Sequence, residues 1–156
     1  MKIENVLVPL DGSELSLKAL EHAEKLALPL KAKVILLRVG ATLGPEAFGL
    51  PELSMALANE LTLQQGKHEG VLTTYLEKLA EPLRERGLTV ETVVRSGDAA
   101  SQIVELAESE HVDLVVMSSH GRTGLTRWIY GSVAERVLHN ARCSLLVVRI
   151  PSEHLS

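Results

Sequence analysis

Five short apolar runs, separated by segments of helical periodicity, restrict what this chain can fold into more than any other feature. They occupy residues 6–10, 33–39, 88–94, 113–117 and 144–150. Most are apolar nearly throughout, as strands buried on both faces of a parallel sheet must be. The third alternates partly and is rich in β-branched residues, which also suits a strand. After the first run Ser13 is placed to cap a helix. Its apolar Leu15, Ala19, Ala23 and Leu26 recur at helical spacing, and Pro29 is expected to end it. Residues 40–53 carry Gly44, Pro45 and Pro51 and read as an irregular loop. A long helical pattern follows from about Ser54 to Arg86. Gly66 and Gly70 weaken its middle, and Leu72, Leu76, Leu79 and Leu83 form its stripe. Pro82 should shorten its end and Gly87 should stop it. Asp98 is placed to cap a third helix whose face is Ala100, Ile103, Val104 and Ala107, and residues 132–140 form a fourth. Strands alternating with helices, joined by right-handed crossovers, predict one α/β domain over residues 1–150 with an open, doubly wound parallel sheet and helices on both faces. Residues 151–156 are a polar tail.

With 156 residues the chain is long enough to bury a core without disulfides or a structural metal. A net charge of −4 and only four aromatic residues argue against nucleic-acid partners, which call for a basic patch or exposed stacking rings. Cys143 is a single cysteine, expected to be a buried structural thiol. No signal peptide and no membrane-spanning run is expected, which favours a cytoplasmic protein. The six histidines show no metal-ligand spacing, and Glu105, Glu108 and Glu110 read as a solvated helix face.

In a doubly wound sheet, ligands bind at the carboxyl ends of the strands where the winding reverses. Three such ends carry suggestive chemistry: Pro9 to Ser13, Val39–Gly40, and the loop from Ser118 to Gly131. If the first and fourth strands are neighbours, all three face one crevice. The third loop runs Ser118-Ser119-His120-Gly121, then Arg122 onward to Gly131-Ser132, between a strand and a helix. Glycines let a backbone approach an anion, and the free amides of a helix start point at it. Plainer readings stand beside this one. Ser132 and Glu135 match a capping box, the glycines can serve turns alone, and Asp11 can be a ribose or metal ligand or part of a turn with Gly12. Neither the Walker phosphate loop nor the dinucleotide glycine fingerprint is present.

The loop resembles the signature of the universal stress proteins, specifically their ATP-binding branch: Gly-x-x-Gly, nine residues, then Gly and Ser or Thr. Here it reads Ser118-Ser119-His120-Gly121, nine residues, then Gly131-Ser132. The segments 6–13, 120–125, 131–138 and 143–148 are similar to the family as well, so the resemblance spans nearly the whole chain. It implies a sheet ordered 3-2-1-4-5 and a homodimer formed through the fifth strand, residues 144–150. Carried over position by position, it implies ATP with Mg²⁺ or Mn²⁺ held at Pro9, Asp11, Val39, Met117, Ser118, Gly121, Arg122, Gly131, Ser132 and Val133. Asp11 would serve the metal through the phosphates. Serine at 118 stands where that branch has its first glycine; a position demanding φ > 0 would charge a serine about 1 kcal/mol or more. The expected function is a nucleotide-binding, dimeric stress-response module acting on an unidentified protein partner. The alternatives are a family member that interacts without nucleotide and, third, a slow ATP hydrolase or adenylating enzyme.

Overall fold

The computed structural model describes residues 1–41, 55–119 and 131–149. One five-stranded parallel sheet runs in the order β3-β2-β1-β4-β5. In chain order the elements are β1 (Asn5–Pro9), α1 (Glu14–Leu30), β2 (Lys33–Gly40), α2 (Met55–Glu85), β3 (Val90–Ser96), α3 (Ala99–Ser109), β4 (Leu114–Ser118), α4 (Ser132–Asn140) and β5 (Ser144–Val148). The strand pleat divides the core into two layers. Val6, Val8, Val34 and Leu36 pack on one face with α1 and with Leu76, Ala80 and Leu83 of α2. Leu7, Ile35, Leu37 and Val115 pack on the other with Ile103 and Leu106 of α3 and Ala134 and Val137 of α4. Strands covered on both faces have little room for polar residues, which is why β1 and β4 are apolar nearly throughout, whereas the edge strand β3 is only partly buried and carries Glu91, Thr92 and Arg95.

Several element ends differ from the sequence reading. Pro29 does not stop α1; the helix continues to Leu30 and ends at Lys31, whose left-handed backbone (φ 54°) returns its amide to Ala27 and Leu28 carbonyls. A proline this close to the end forfeits one intrahelical bond and leaves little helix beyond it to disrupt. Pro82 likewise lies inside α2, and Gly87 (φ 98°) follows that helix as expected. The third strand is Val90–Ser96 and not 88–94, because its register is set by pairing with β2 from Val34–Val90 to Gly40–Ser96. Leu106, rather than half-buried Val104, completes the buried face of α3. Asp113 precedes β4 and accepts the amides of Glu4 and Asn5 at 2.8 and 2.9 Å. The fifth strand is Ser144–Val148, shorter than 144–150, since its β4 partner ends at Ser118 opposite Val148. Ile150 and the tail lie outside the described residues. Cys143 is half-buried, and burial pushes its thiol pKa up.

Two turns position the site. Ser13 caps α1 through its hydroxyl, and Asp98 caps α3 through its carboxylate. An ion pair of 2.8 Å from Arg136 to Asp98 ties the start of α3 to α4.

Candidate functional site at the strand ends

The sheet parts where β1 meets β4. Their pairing ends at Leu7–Val115, whereas β1–β2 pairing continues to Pro9–Leu37 and β4–β5 pairing to Ser118–Val148. Pro9 has no amide hydrogen to give a ladder, which suits it to a place where pairing stops. The split opens a crevice of about 340 Å³ at the carboxyl ends of the strands, within the size range of small-molecule sites.

Eight of the residues singled out from sequence line it together: Pro9, Asp11, Val39, Met117, Ser118, Gly131, Ser132 and Val133. Gly121 and Arg122, the other two, lie outside the described residues. One wall is apolar, made by Leu37 and Val39 of β2, Ala99 and Ile103 of α3, and Met117. The polar part of the lining comes from Asp11, Ser118, Ser119, Ser132 and the start of α4. Sequence reasoning missed Ala99 and Ile103. The only signal for them was the reversal of winding, which carries α3 across the sheet and brings its first turns to this wall.

Helix α4 begins with Gly131 as its N-cap, and no side chain caps it. The capping-box reading of Ser132 and Glu135 is therefore corrected: Ser132 is the first helical residue, one position too late to act as cap. The first amides of α4 are left without that side-chain partner, and Ser132 is exposed beside them on the crevice rim. Gly131 is anchored by its amide to the Ser119 carbonyl at 2.5 Å, and the Ser119 amide bonds the Val148 carbonyl at 3.1 Å.

Ser118 is the last residue of β4, and it is not among the described residues with positive φ, which outside glycine are Lys31 and His111. Serine thus meets no left-handed strain here, and the penalty that a glycine-only conformation would impose does not arise.

Asp11 projects from the turn after β1 and is half-buried. Its Oδ1 accepts the Ser13 amide at 2.9 Å and the Ser13 hydroxyl. Burial opposes its ionisation, but the two Ser13 hydrogen bonds, with smaller help from Ser16 and the Arg38 charge, hold the carboxyl below its usual range. Asp11 is the one carboxylate among the described residues lining the crevice. Among the described residues, no group of three or more His, Cys, Asp or Glu gathers to hold a metal. These residues therefore do not form a metal cage of their own.

A doubly wound parallel sheet with a crevice at the split between two of its central strands places this chain among the open α/β domains, whose ligand sites lie at such strand ends. Residues 2–149 match the model of the universal stress protein family, and the chain belongs to that family. A universal stress protein of Methanocaldococcus jannaschii is 38% identical over 151 residues, covering 96% of this chain and 84% of its own. The solved structure of a second protein of that organism, whose biochemical function was assigned from its structure, aligns with a TM-score of 0.77 at 28% identity, covering 97% of this chain and 99% of its own. Two more distant members share the fold. One was solved in complex with cAMP (TM-score 0.67, 21% identity, covering 96% of this chain and 98% of its own). The other, from Arabidopsis thaliana, was solved with AMP bound (TM-score 0.61, 17% identity, covering 98% and 96%). No helix among the described residues is long and apolar enough to cross a membrane.

Proposed function

We propose that this chain is an adenine-nucleotide-binding universal stress protein, with ATP as the fullest ligand. The observation that carries the reading is the crevice itself: its lining combines apolar Leu37, Val39 and Ile103 with polar groups and the start of α4, which has no side-chain cap. A flat base suits the first and phosphate oxygens suit the second. Relatives of the same fold solved with cAMP and AMP support the choice of adenine.

In this reading Val39 meets the base, Met117 packs beside the nucleoside, and Pro9 and Asp11 face the ribose. Ser118, Gly131, Ser132 and Val133 receive the phosphates, joined by Gly121 and Arg122. A bare carboxylate beside phosphates is repulsive, so Asp11 is suited to a ribose hydroxyl or to a cation lying between. A divalent Mg²⁺ or Mn²⁺ would arrive with the phosphates, with Asp11 as its protein partner. In this reading the site holds nucleotide and signals its presence, in the cytoplasm, to a partner protein.

Assembly as a homodimer through β5 belongs to the same proposal. β5 is an edge strand whose Leu145, Leu146 and Val147 are only partly covered, and an exposed apolar edge of this kind is a template for pairing with another strand.

The test is to denature the purified protein and identify released nucleotide by chromatography and mass spectrometry, then to titrate ATP, AMP and cAMP by calorimetry. Bound or binding adenine nucleotide supports the reading. An empty protein that binds none of the three refutes it and leaves a family member that interacts without nucleotide.

A further inference from the structure

We propose that Arg38 is the positioning residue of the crevice: from beneath the sheet's carboxyl edge it clamps the Leu10–Gly12 turn and so sets where Asp11 stands on the rim. The proposal rests on the nucleotide reading for its purpose, and on geometry for its existence. Leu37 and Val39 of β2 line the crevice. Arg38 lies between them and by the pleat projects to the opposite face. There its guanidinium lies over the Tyr75 ring of α2, 5.7 Å from the ring centroid. From that position it reaches the turn from outside the site. Its Nη1 donates to the Leu10 carbonyl at 3.3 Å, while the Leu10 amide donates to the Leu37 carbonyl at 2.8 Å. Both backbone groups of Leu10 are thus held by consecutive residues of β2.

The same guanidinium lies against Gly12. A Cβ built on that glycine would stand 2.7 Å from Nη1 and 3.3 Å from both Cζ and Nη2. Gly12 also has φ 84°, a backbone that disfavours any side chain. Glycine at 12 therefore answers two demands, the turn's conformation and the seat of Arg38. Between these two held residues sits Asp11, its Oδ1 occupied by Ser13. A planar fork suits a task in which one side chain must touch a carbonyl, a backbone and a ring at once.

Two measurements judge the clamp. In the ligand-free protein, amide hydrogen exchange at Leu10 and Ser13 should quicken at least several-fold in Arg38→Met. It should stay unchanged in Arg84→Met, which removes an arginine from the Val90 carbonyl elsewhere in the fold. Unaltered exchange at Leu10 and Ser13 overturns the clamp whether or not the protein binds nucleotide. Calorimetry with ATP then tests its purpose. Arg38→Met should weaken binding on the order of tenfold, as expected for a displaced charge-assisted contact. It should add no further loss in an Asp11→Asn background, because it acts through Asp11. Additive losses overturn the positioning role. A wild-type protein that fails to bind ATP, AMP or cAMP refutes the nucleotide reading instead, and the exchange result still decides the clamp.

Discussion

Ser132→Asp should move stability and nucleotide affinity in opposite directions, because the start of α4 attracts negative charge from whichever source supplies it. Ser132 is the first residue of α4, exposed on the crevice rim, and the helix has no capping side chain. A carboxylate there interacts with the helix dipole by about 0.3–1 kcal/mol. For a chain of this size that raises the melting temperature of the ligand-free protein by roughly 1–4 °C. The same carboxylate would stand about 5 Å from a phosphate bound at the helix start. Each phosphate charge then costs about 0.8 kcal/mol at the dielectric of water and about 3 kcal/mol at an effective dielectric near 20. A partly exposed rim lies between, so each charge should weaken binding by about tenfold. Repulsion exceeds the gain in helix stability, and it scales with ligand charge. ATP should lose most, AMP less, and adenosine almost nothing. Thermal melts of the free protein and calorimetry with the three ligands measure both signs. Equal losses for adenosine and ATP, or a lower melting temperature in the free variant, would refute the placement of phosphates at α4.

Other consequences concern the frame around the site. The Asp98 carboxyl is held below its ordinary value of 3.8 by Arg136 first, then by the Ser101 hydroxyl and amide. A lowered folded pKa contributes stability in full above the unfolded value and loses it as pH falls through the folded one. Asp98→Asn keeps a capping oxygen but not the charge, so its deficit in urea melts should be present at pH 6 and should shrink below about pH 4. Leu76 of α2 is fully buried in the core layer on its face of the sheet, and Leu76→Ala should cost about 2–5 kcal/mol in denaturant unfolding. Leu63 on the same helix is 69% exposed, and Leu63→Ala should stay within about 0.5 kcal/mol. Leu146→Lys on β5 should convert a dimer to monomer by light scattering, since it places charge on the edge strand. An unchanged mass would exclude that edge as the interface.

The sequence by itself determined the class of fold. Strands buried on both faces must be apolar throughout, and helices covering them must repeat at 3.6 residues, so the β–α alternation is written in local composition. It also marked Asp11, Ser118 and Gly131 as the points where the chain leaves a strand or enters a helix, because small or polar residues suit such ends. Strand order was legible only through resemblance to a family, since no local pattern tells which parallel strands become neighbours.

Tertiary structure decided the rest. The ends of β3 and β5 are fixed by the strands they pair with. Ser132 looks like a cap until Gly131 is seen to occupy the cap position. Ser118 looks like a strained substitute for glycine until its backbone is seen to end a strand. Ile103 and Arg38 carry no motif. One reaches the crevice wall because the winding reverses at β1 and β4; the other reaches the Asp11 turn because the pleat turns it to the opposite face of β2 from Leu37 and Val39. Such relations between residues far apart in sequence arise only when the sheet is assembled.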